Sequence, residues 1–341
     1  MFIAAEVAKP PFFVGIDLGG TNIKMGVVDD LGRPLAARSI PTDVRSGPDA
    51  ATERVAAAVR EAIAQAGLRP EMIARAGLGS AGPMDLAKGI LTDPINLPGW
   101  NDFPLRDRLS ERCGWPVTFE NDANAAAYGE YWVGAGRQLH SMILLTLGTG
   151  IGSGIILDSR VVRGQHSYGG ESGHIVIDLA VDARVCGCGR RGHLEAYASA
   201  TAVIRRTKEL LDAGRASSLA RRLAEGASLT PKLVAAEAEA GDELAMEIVL
   251  ETARYLAIGM VSLIHMFGPE GVFLGGAMTF GGRQRPLGLR FLAEVQTEVR
   301  RLALPALAET TIEFSMLGGD AGYIGAAGMA RLENHGDGAR E

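Results

Sequence analysis

Residues 12–30 read FFVGIDLGGTNIKMGVVDD, and this stretch settles the class of fold. An apolar run ends in Asp17, Gly19, Gly20 and Thr21 follow, and Ile23, Met25 and Val27 then alternate with more polar neighbours. That pattern predicts a buried strand, a glycine turn and a half-buried second strand. The turn admits two readings. Glycines let backbone amides approach phosphate oxygens, Thr21 adds a hydroxyl donor, and Asp17 at the strand tip suits Mg²⁺, which favours carboxylate oxygen and retained water. A plain hairpin turn capped by an aspartate has the same spelling.

Working outward, residues 141–158, SMILLTLGTGIGSGIILD, repeat the unit, with Gly148, Thr149 and Gly150 after an apolar run. No GK[ST] is present and no helix is expected to follow, which excludes a P-loop and a dinucleotide fingerprint. A third apolar run, Val272–Leu274, ends in Gly275-Gly276. Three glycine-rich strand ends of this kind resemble the actin-like ATPase and sugar-kinase architecture, which implies that they converge on one nucleotide.

Between these units the periodicity predicts helices over 50–66, 105–113, 200–213, 242–267 and 289–302, with a last one over 320–332. Strands and helices alternate, so the class is α/β. A chain of 341 residues exceeds one hydrophobic core and predicts two domains. The expected division is a small lobe over 1–120 joined by the helix at 320–332, and a large lobe over 121–319. Residues 333–341 read as a disordered tail.

The net charge is −6, and lysines and arginines are scattered, so nucleic acid is not an expected partner. Three cysteines, Cys113, Cys186 and Cys188, do not form a disulfide framework and favour a reducing cytoplasm. The N-terminal residues do not read as a secretory signal. The longest apolar candidate, 255–267, is shorter than the ~18 residues of a membrane span.

Residues 120–130, ENDANAAAYGE, place Asp122 where a strand turns into a helix. A helix N-terminus favours the ionised carboxylate, and a base that accepts a hydroxyl proton in phosphoryl transfer needs position more than a raised pKa. Asn121 beside it can bind a sugar hydroxyl. The same fragment also reads as an ordinary aspartate N-cap.

Residues 173–195, GHIVIDLAVDARVCGCGRRGHLE, gather His174, Cys186, Cys188 and His193. Thiolate and imidazole suit zinc, which takes four tetrahedral ligands at structural sites, and four protein ligands leave no open position for water. The expectation is a structural zinc that holds Glu171 and Glu195 in fixed positions.

With these pieces assembled, the sequence resembles the ROK family (repressors, open reading frames and sugar kinases) and, within it, the bacterial glucokinases. The resemblance runs from Gly15 to about Leu332 and rests on GIDLGGTNIKMGVVD, GSAGPMD, NLPGWND, ENDANAAAYGE, LTLGTGIGSGI, GGESGHI, CGCGRRGHLEAYAS, FGPEGVFLGGAM and GDAGYIGAAGMA. It implies a two-lobed, actin-like (ribonuclease H-like) sugar-kinase fold with substrates in an interlobe cleft, ATP with Mg²⁺, and a homodimer or higher oligomer. It implies that Asp122 is the catalytic base and that Asn96, Asn121, Glu171, His174 and Glu195 bind the sugar, His174 also ligating zinc. Thr21 and Gly148 to Gly150 would hold phosphates, with Gly275 and Gly276 near the adenosine.

Two departures stand out. His193 replaces a cysteine common at that place, so a Cys₂His₂ site is expected. Asn22 stands where a lysine often follows Thr21, with Lys24 two residues on, either facing the phosphates or lining a strand. The repressors carry an additional DNA-binding domain, for which the dozen residues before the first strand leave no room. The implied reaction is ATP-dependent phosphorylation of glucose. The rivals are a kinase of fructose, mannose, N-acetylglucosamine or N-acetylmannosamine, a non-catalytic sugar sensor, and polyphosphate as donor.

Overall fold

The computed structural model describes residues 2–94 and 97–336. Its strands are β1 (Phe12–Leu18), β2 (Asn22–Val28), β3 (Pro34–Pro41), β4 (Ile73–Ser80), β5 (Met84–Asp85), β6 (Ile90–Leu91), β7 (Val117–Asn121), β8 (Met142–Leu147), β9 (Ile151–Leu157), β10 (Arg160–Val161), β11 (Gly271–Gly275) and β12 (Thr311–Phe314). Its helices are α1 (Gly47–Gln65), α2 (Leu105–Cys113), α3 (Asp122–Val133), α4 (Glu195–Ala198), α5 (Ala200–Asp212), α6 (Ser218–Ala224), α7 (Pro231–Glu239), α8 (Glu243–Phe267), α9 (Pro286–Leu302) and α10 (Ala321–His335).

The chain divides into two compact units. The first comprises 1–139, 154–169 and 316–341, and the second 140–153 and 170–315. The expected boundary at residue 120 therefore falls inside the first unit. The reason is packing: α3 continues directly from β7 and lies against α10 and β4, which keeps it with the first sheet.

The two sheets share one plan. Their strand orders are β3-β2-β1-β4-β7 and β10-β9-β8-β11-β12. In each, a glycine-turn hairpin is extended on one side by the next strand and on the other by two strands reached through crossovers. The weak repeat seen in the sequence is thus a duplicated topology.

In the first unit, alternation along β1 explains the layers. Phe12, Val14, Ile16 and Leu18 pack with Val55, Val59 and Ile63 of α1, while Phe13 joins Tyr323, Ile324 and Ala327 of α10 on the other face. The small residues of α10 permit backbone-close packing. A Cβ on Gly325 would lie 1.6 Å from the carbonyl oxygen of Ala125, so α10 seats directly on α3. α10 continues to His335, so residues 333–335 of the expected tail are helical, and residues 337–341 lie outside the described residues.

In the second unit, β8, β11 and β12 run parallel, Gly275 pairing with Thr146 and Phe314 with Leu274. α8 packs on α9 and α7. By length and composition α8, alone among the helices of the described residues, could cross a membrane, yet 61% of its most apolar window is buried. Its apolar character is that of a core helix covered on several sides. α9 begins at Pro286, three residues before the expected start, because proline at the first helical turn is already set to helical φ.

Candidate active site

In the first unit the carboxyl ends of β1, β4 and β7 lie side by side. Register pairs Asp17 with Lys24 of β2 and with Gly79 of β4, and Gly79 in turn with Glu120 of β7. This brings Asp17 and Asp122 together from positions 105 apart in the chain, the kind of strand-end assembly where α/β sheets carry ligands. A Cβ on Gly79 would lie 3.1 Å from Ala125 Cβ and 3.6 Å from the Asp122 Cα, so β4 packs closely against the first turn of α3. Asp17 Oδ2 lies against the start of α10, where a Cβ on Gly322 would approach to 2.3 Å.

That burial, and next the charge of Asp122, push the Asp17 carboxyl up to about 7, while Lys24 pulls the other way. Lys24 Nζ is held 2.7 Å from Asp320 Oδ1 and donates to the Gly319 carbonyl at 2.9 Å. Lys24 is thus tied to the approach of α10. The turn itself is closed by Gly19 N–H donating to the Asn22 carbonyl at 3.1 Å, with Thr21 and Asn22 exposed beyond it.

The raised Asp17 makes a prediction for the protein free of metal and nucleotide. The folded state holds a proton on Asp17 between the unfolded value of 3.8 and about 7. Stability from this group is therefore full below about 4, falls as pH rises to about 7, and stays low above. Asp17→Asn should raise the unfolding free energy by on the order of 2–4 kcal/mol at pH 8 and by little near pH 4. Urea titrations at both pH values check this; the same increment at each would show that titration is not its source.

At the start of α3 the helix cap is Asn121, whose Oδ1 accepts from Ala123 N at 2.9 Å and Asn124 N at 3.2 Å. The aspartate-cap reading of Asp122 is thereby corrected: Asp122 is the first helical residue, because Asn121 has the extended backbone a cap needs. Behind it sits Glu120, 1% exposed. Its Oε1 accepts from Asn121 N and Asn124 Nδ2, both at 3.0 Å, and its Oε2 from Arg163 Nε at 2.6 Å. Sequence reading assigned no role to Glu120 or Arg163; they lie 43 residues apart with no local signal between them.

In the second unit the glycine turns after β8 and β11 are neighbours. Gly276 has φ +87°, and a Cβ there would lie 2.3 Å from the Leu147 carbonyl oxygen, so the two strand ends meet backbone to backbone. The first turn of α5 supports the 148–150 turn: Ala200 N–H donates to the Gly148 carbonyl and Thr201 Oγ1 to the Thr149 carbonyl, each at 2.9 Å. Backbone amides and a helix start gathered in this way suit phosphate oxygens.

Glu195 links this turn to the cysteine loop. Its Oε2 accepts from Ile151 N at 3.0 Å, and its Oε1 lies 3.4 Å from Cys186 Sγ. One carboxylate oxygen is therefore committed to the turn.

His174, Cys186, Cys188 and His193 bring one donor atom each to within 4.8 Å of one another. A bridge between Val176 and His193 sets the histidines together, and the turn Cys186 N to Arg190 O, 2.7 Å, folds the cysteines back. His174 Nδ1 lies 3.2 Å from His193 Nδ1 and 3.6 Å from Cys186 Sγ, and Cys188 Sγ lies 3.3 Å from His193 Nδ1. Ligands at Zn–S of about 2.3 Å and Zn–N of about 2.0–2.1 Å on a tetrahedron stand roughly 3.6 Å (S to N) and 3.3 Å (N to N) apart. The four residues fit a metal of that kind. Burial pushes the Cys186 thiol up to about 12, and burial followed by the charge of His174 lowers His193. A bound cation would reverse the first and use the neutral imidazole of the second. The Nε2 of His174 points toward Glu171 Oε2, 3.8 Å away.

The expected residues thus fall into two sets: Asp17, Gly19, Gly20, Thr21, Asn22, Lys24, Asn121 and Asp122 in the first unit; Gly148 to Gly150, Glu171, the four donor residues, Glu195, Gly275 and Gly276 in the second. Asn96 lies outside the described residues.

Comparison with known proteins identifies the family. The model of the ROK family matches residues 13–333. A glucokinase of Halalkalibacterium halodurans is 33% identical over 95% of this chain and 96% of its own length. Among solved structures, a ROK hexokinase from Thermus thermophilus has a TM-score of 0.80 at 35% identity, covering 95% of this chain and 99% of its own. A ROK family glucokinase from Streptomyces griseus, in complex with glucose and AMPPNP, has a TM-score of 0.75 at 33% identity, covering 94% and 99%. With both glycine turns, the Asp17–Asp122 strand ends and the histidine–cysteine loop in place on a shared actin-like sugar-kinase fold, the chain belongs to the ROK family.

Proposed function

We propose that this protein is a glucokinase, transferring the γ-phosphoryl group of ATP to the 6-hydroxyl of glucose. The observation that carries the reading is the carboxylate pair Asp17 and Asp122 at the ends of β1 and β7, the two strands that flank β4, close enough for the charge of Asp122 to act on Asp17. The similarity to a glucokinase bound to glucose and AMPPNP supports the substrates.

In this reading each unit supplies residues with distinct roles. Asp122 accepts the proton of the sugar 6-hydroxyl as the O6–Pγ bond forms, and the Pγ–O bond to the β-phosphate breaks to release ADP. Asn121 Oδ1 is occupied by the cap, so its amide nitrogen is the part that serves a sugar hydroxyl. Glu171, His174 and Glu195 hold further hydroxyls, and Asn96 is assigned with them. The amides of the two glycine turns and Thr21 take the phosphates, the start of α5 braces the second turn, and Gly275-Gly276 borders the adenosine. Asp17 would hold Mg²⁺, which supplies charge neutralisation; its raised carboxyl is a group that a cation would relieve. Lys24, paired with Asp320, positions the first turn more than it contacts phosphate.

His174, Cys186, Cys188 and His193 would hold a structural zinc that keeps the sugar carboxylates in place. Thiol ligands of this kind fit a reducing cytoplasm, and a homo-oligomer follows from the family resemblance.

An ADP-release assay over glucose, fructose, mannose, N-acetylglucosamine and N-acetylmannosamine tests the reading. Glucose with ATP should give the highest kcat/KM, at least about tenfold above either N-acetyl sugar, since a bulky 2-substituent must fit a pocket shaped for a hydroxyl. A higher value for an N-acetyl sugar, or for polyphosphate over ATP, would reassign the substrate. Sugar binding without any phosphoryl transfer would instead favour a regulator.

A further inference from the structure

We propose that Arg163 is a positioning residue for the base Asp122, acting through the buried carboxylate of Glu120. The inference rests on the glucokinase reading above and deepens it.

Glu120 closes β7 with its side chain out of water, and Arg163 Nε is 2.6 Å from its Oε2. The other oxygen of that carboxylate grips both flanks of Asp122. It accepts the backbone N–H of Asn121, the residue before, and the side-chain amide of Asn124, two residues after. Asn121 in turn caps the same helical turn through Ala123 N and Asn124 N. The first turn of α3 is therefore fastened by two bonds to the Glu120 carboxylate and two to the Asn121 cap, and the cation of that carboxylate comes from Arg163.

Arg163 stands outside both β7 and α3, on the segment after β10. Its carbonyl accepts from Gly169 N at 2.7 Å, closing the loop that precedes Glu171. Without the guanidinium, the Glu120 carboxylate is left in a buried place with no cation, an arrangement that is strongly unfavourable. The carboxylate then turns to water or to another donor and releases the amides at 121 and 124. Asp122 rides on that turn, and a displacement of about 1 Å in a reacting group costs on the order of 100-fold in rate.

The pair is also reachable from solvent. The Arg163 side chain is 43% exposed and lines a cavity of about 820 Å³ together with Arg160, Thr118, Tyr128 and Glu333, all of the first unit. Glu333 is engaged by Arg75 and Thr118, each at 2.8 Å, so it does not compete with Glu120 for Arg163, and Arg106 is engaged by the Leu86 and Ala87 carbonyls, each at 3.1 Å, so it does not replace Arg163.

The test uses the full-length protein with steady-state kinetics, thermal melts and chemical rescue. Arg163→Met should lower kcat by about 10- to 100-fold while the KM values for glucose and ATP stay within about threefold. Arg163→Lys should recover most of the loss, because a cation returns to Glu120. Guanidinium at tens of millimolar should raise kcat of Arg163→Ala several-fold and leave the wild type unchanged, since the cavity admits it. Arg160→Met, on the same cavity, should behave as wild type. Unchanged kcat in Arg163→Met would overturn the inference and leave the glucokinase reading standing. So would a loss that tracks a lowered melting temperature, with no recovery by lysine or guanidinium, because that is a folding defect. Absence of hexose phosphorylation by the wild type would remove the reading and this inference with it.

Discussion

Asp122→Asn is expected to lower kcat for glucose phosphorylation by about 10³-fold while glucose binding changes by no more than a few-fold. Asparagine keeps the shape and the first-turn position but offers no basic oxygen for the 6-hydroxyl proton. General-base catalysis by a positioned carboxylate is worth about 10²–10⁴-fold, and the phosphate-binding turns and bound sugar remain. The helix start is preserved because its cap is Asn121, not Asp122. Loss of turnover should therefore come without loss of fold, seen as an unchanged melting temperature and an unchanged glucose titration. Near-normal turnover would remove Asp122 from the chemistry. Loss of glucose binding in parallel with kcat would make it a sugar ligand first.

Replacing Cys186 and Cys188 together by serine should abolish tight metal binding and weaken sugar binding more than it changes ATP affinity. The wild type should contain about one zinc per chain by metal analysis, and the double variant almost none. Structural zinc sites contribute apparent free energies of about 10–16 kcal/mol in small domains. Here the segment between His174 and His193 already folds on itself through Ile177 N to the Gly192 carbonyl, Gly192 N to the Arg184 carbonyl and Cys186 N to the Arg190 carbonyl. The metal is thus expected to fix the donor turn more than to fold the whole segment. His174 is both a donor to the cluster and, by its Nε2, a neighbour of Glu171, while Glu195 reaches from Cys186 to the Ile151 amide. Loosening the loop should raise the glucose KM by at least about tenfold and lower the melting temperature by several degrees. A metal-free double variant with normal stability and normal glucose KM would sink the bracing role.

The two predictions differ in how far they could be read before folding. Both thiols and both imidazoles lie within twenty residues, with glycines between, so their convergence follows from local spacing and turn chemistry. Asp122 was legible only as one of two kinds of helix-start aspartate, and its neighbour Asn121 took the cap. Asp17 was legible as a strand-tip acid. Its raised carboxyl was not, because that comes first from burial, with α10 seated on it through Gly322 about three hundred residues away in the chain, and then from the charge of Asp122.

The sequence by itself determined the alternation of strands and helices, the glycine turns after β1, β8 and β11, and the donor set of the metal loop. Each of these depends on residues near one another in the chain, where φ preference, period and spacing act directly. The tertiary structure alone decided the rest. It returned 154–169 to the first unit, made α8 a core helix, engaged Lys24 with Asp320, and set Arg163 on Glu120. These are choices of partner across long separations. A buried charge takes whichever opposite charge the packed strands and helices bring within reach, and no local pattern encodes that distance.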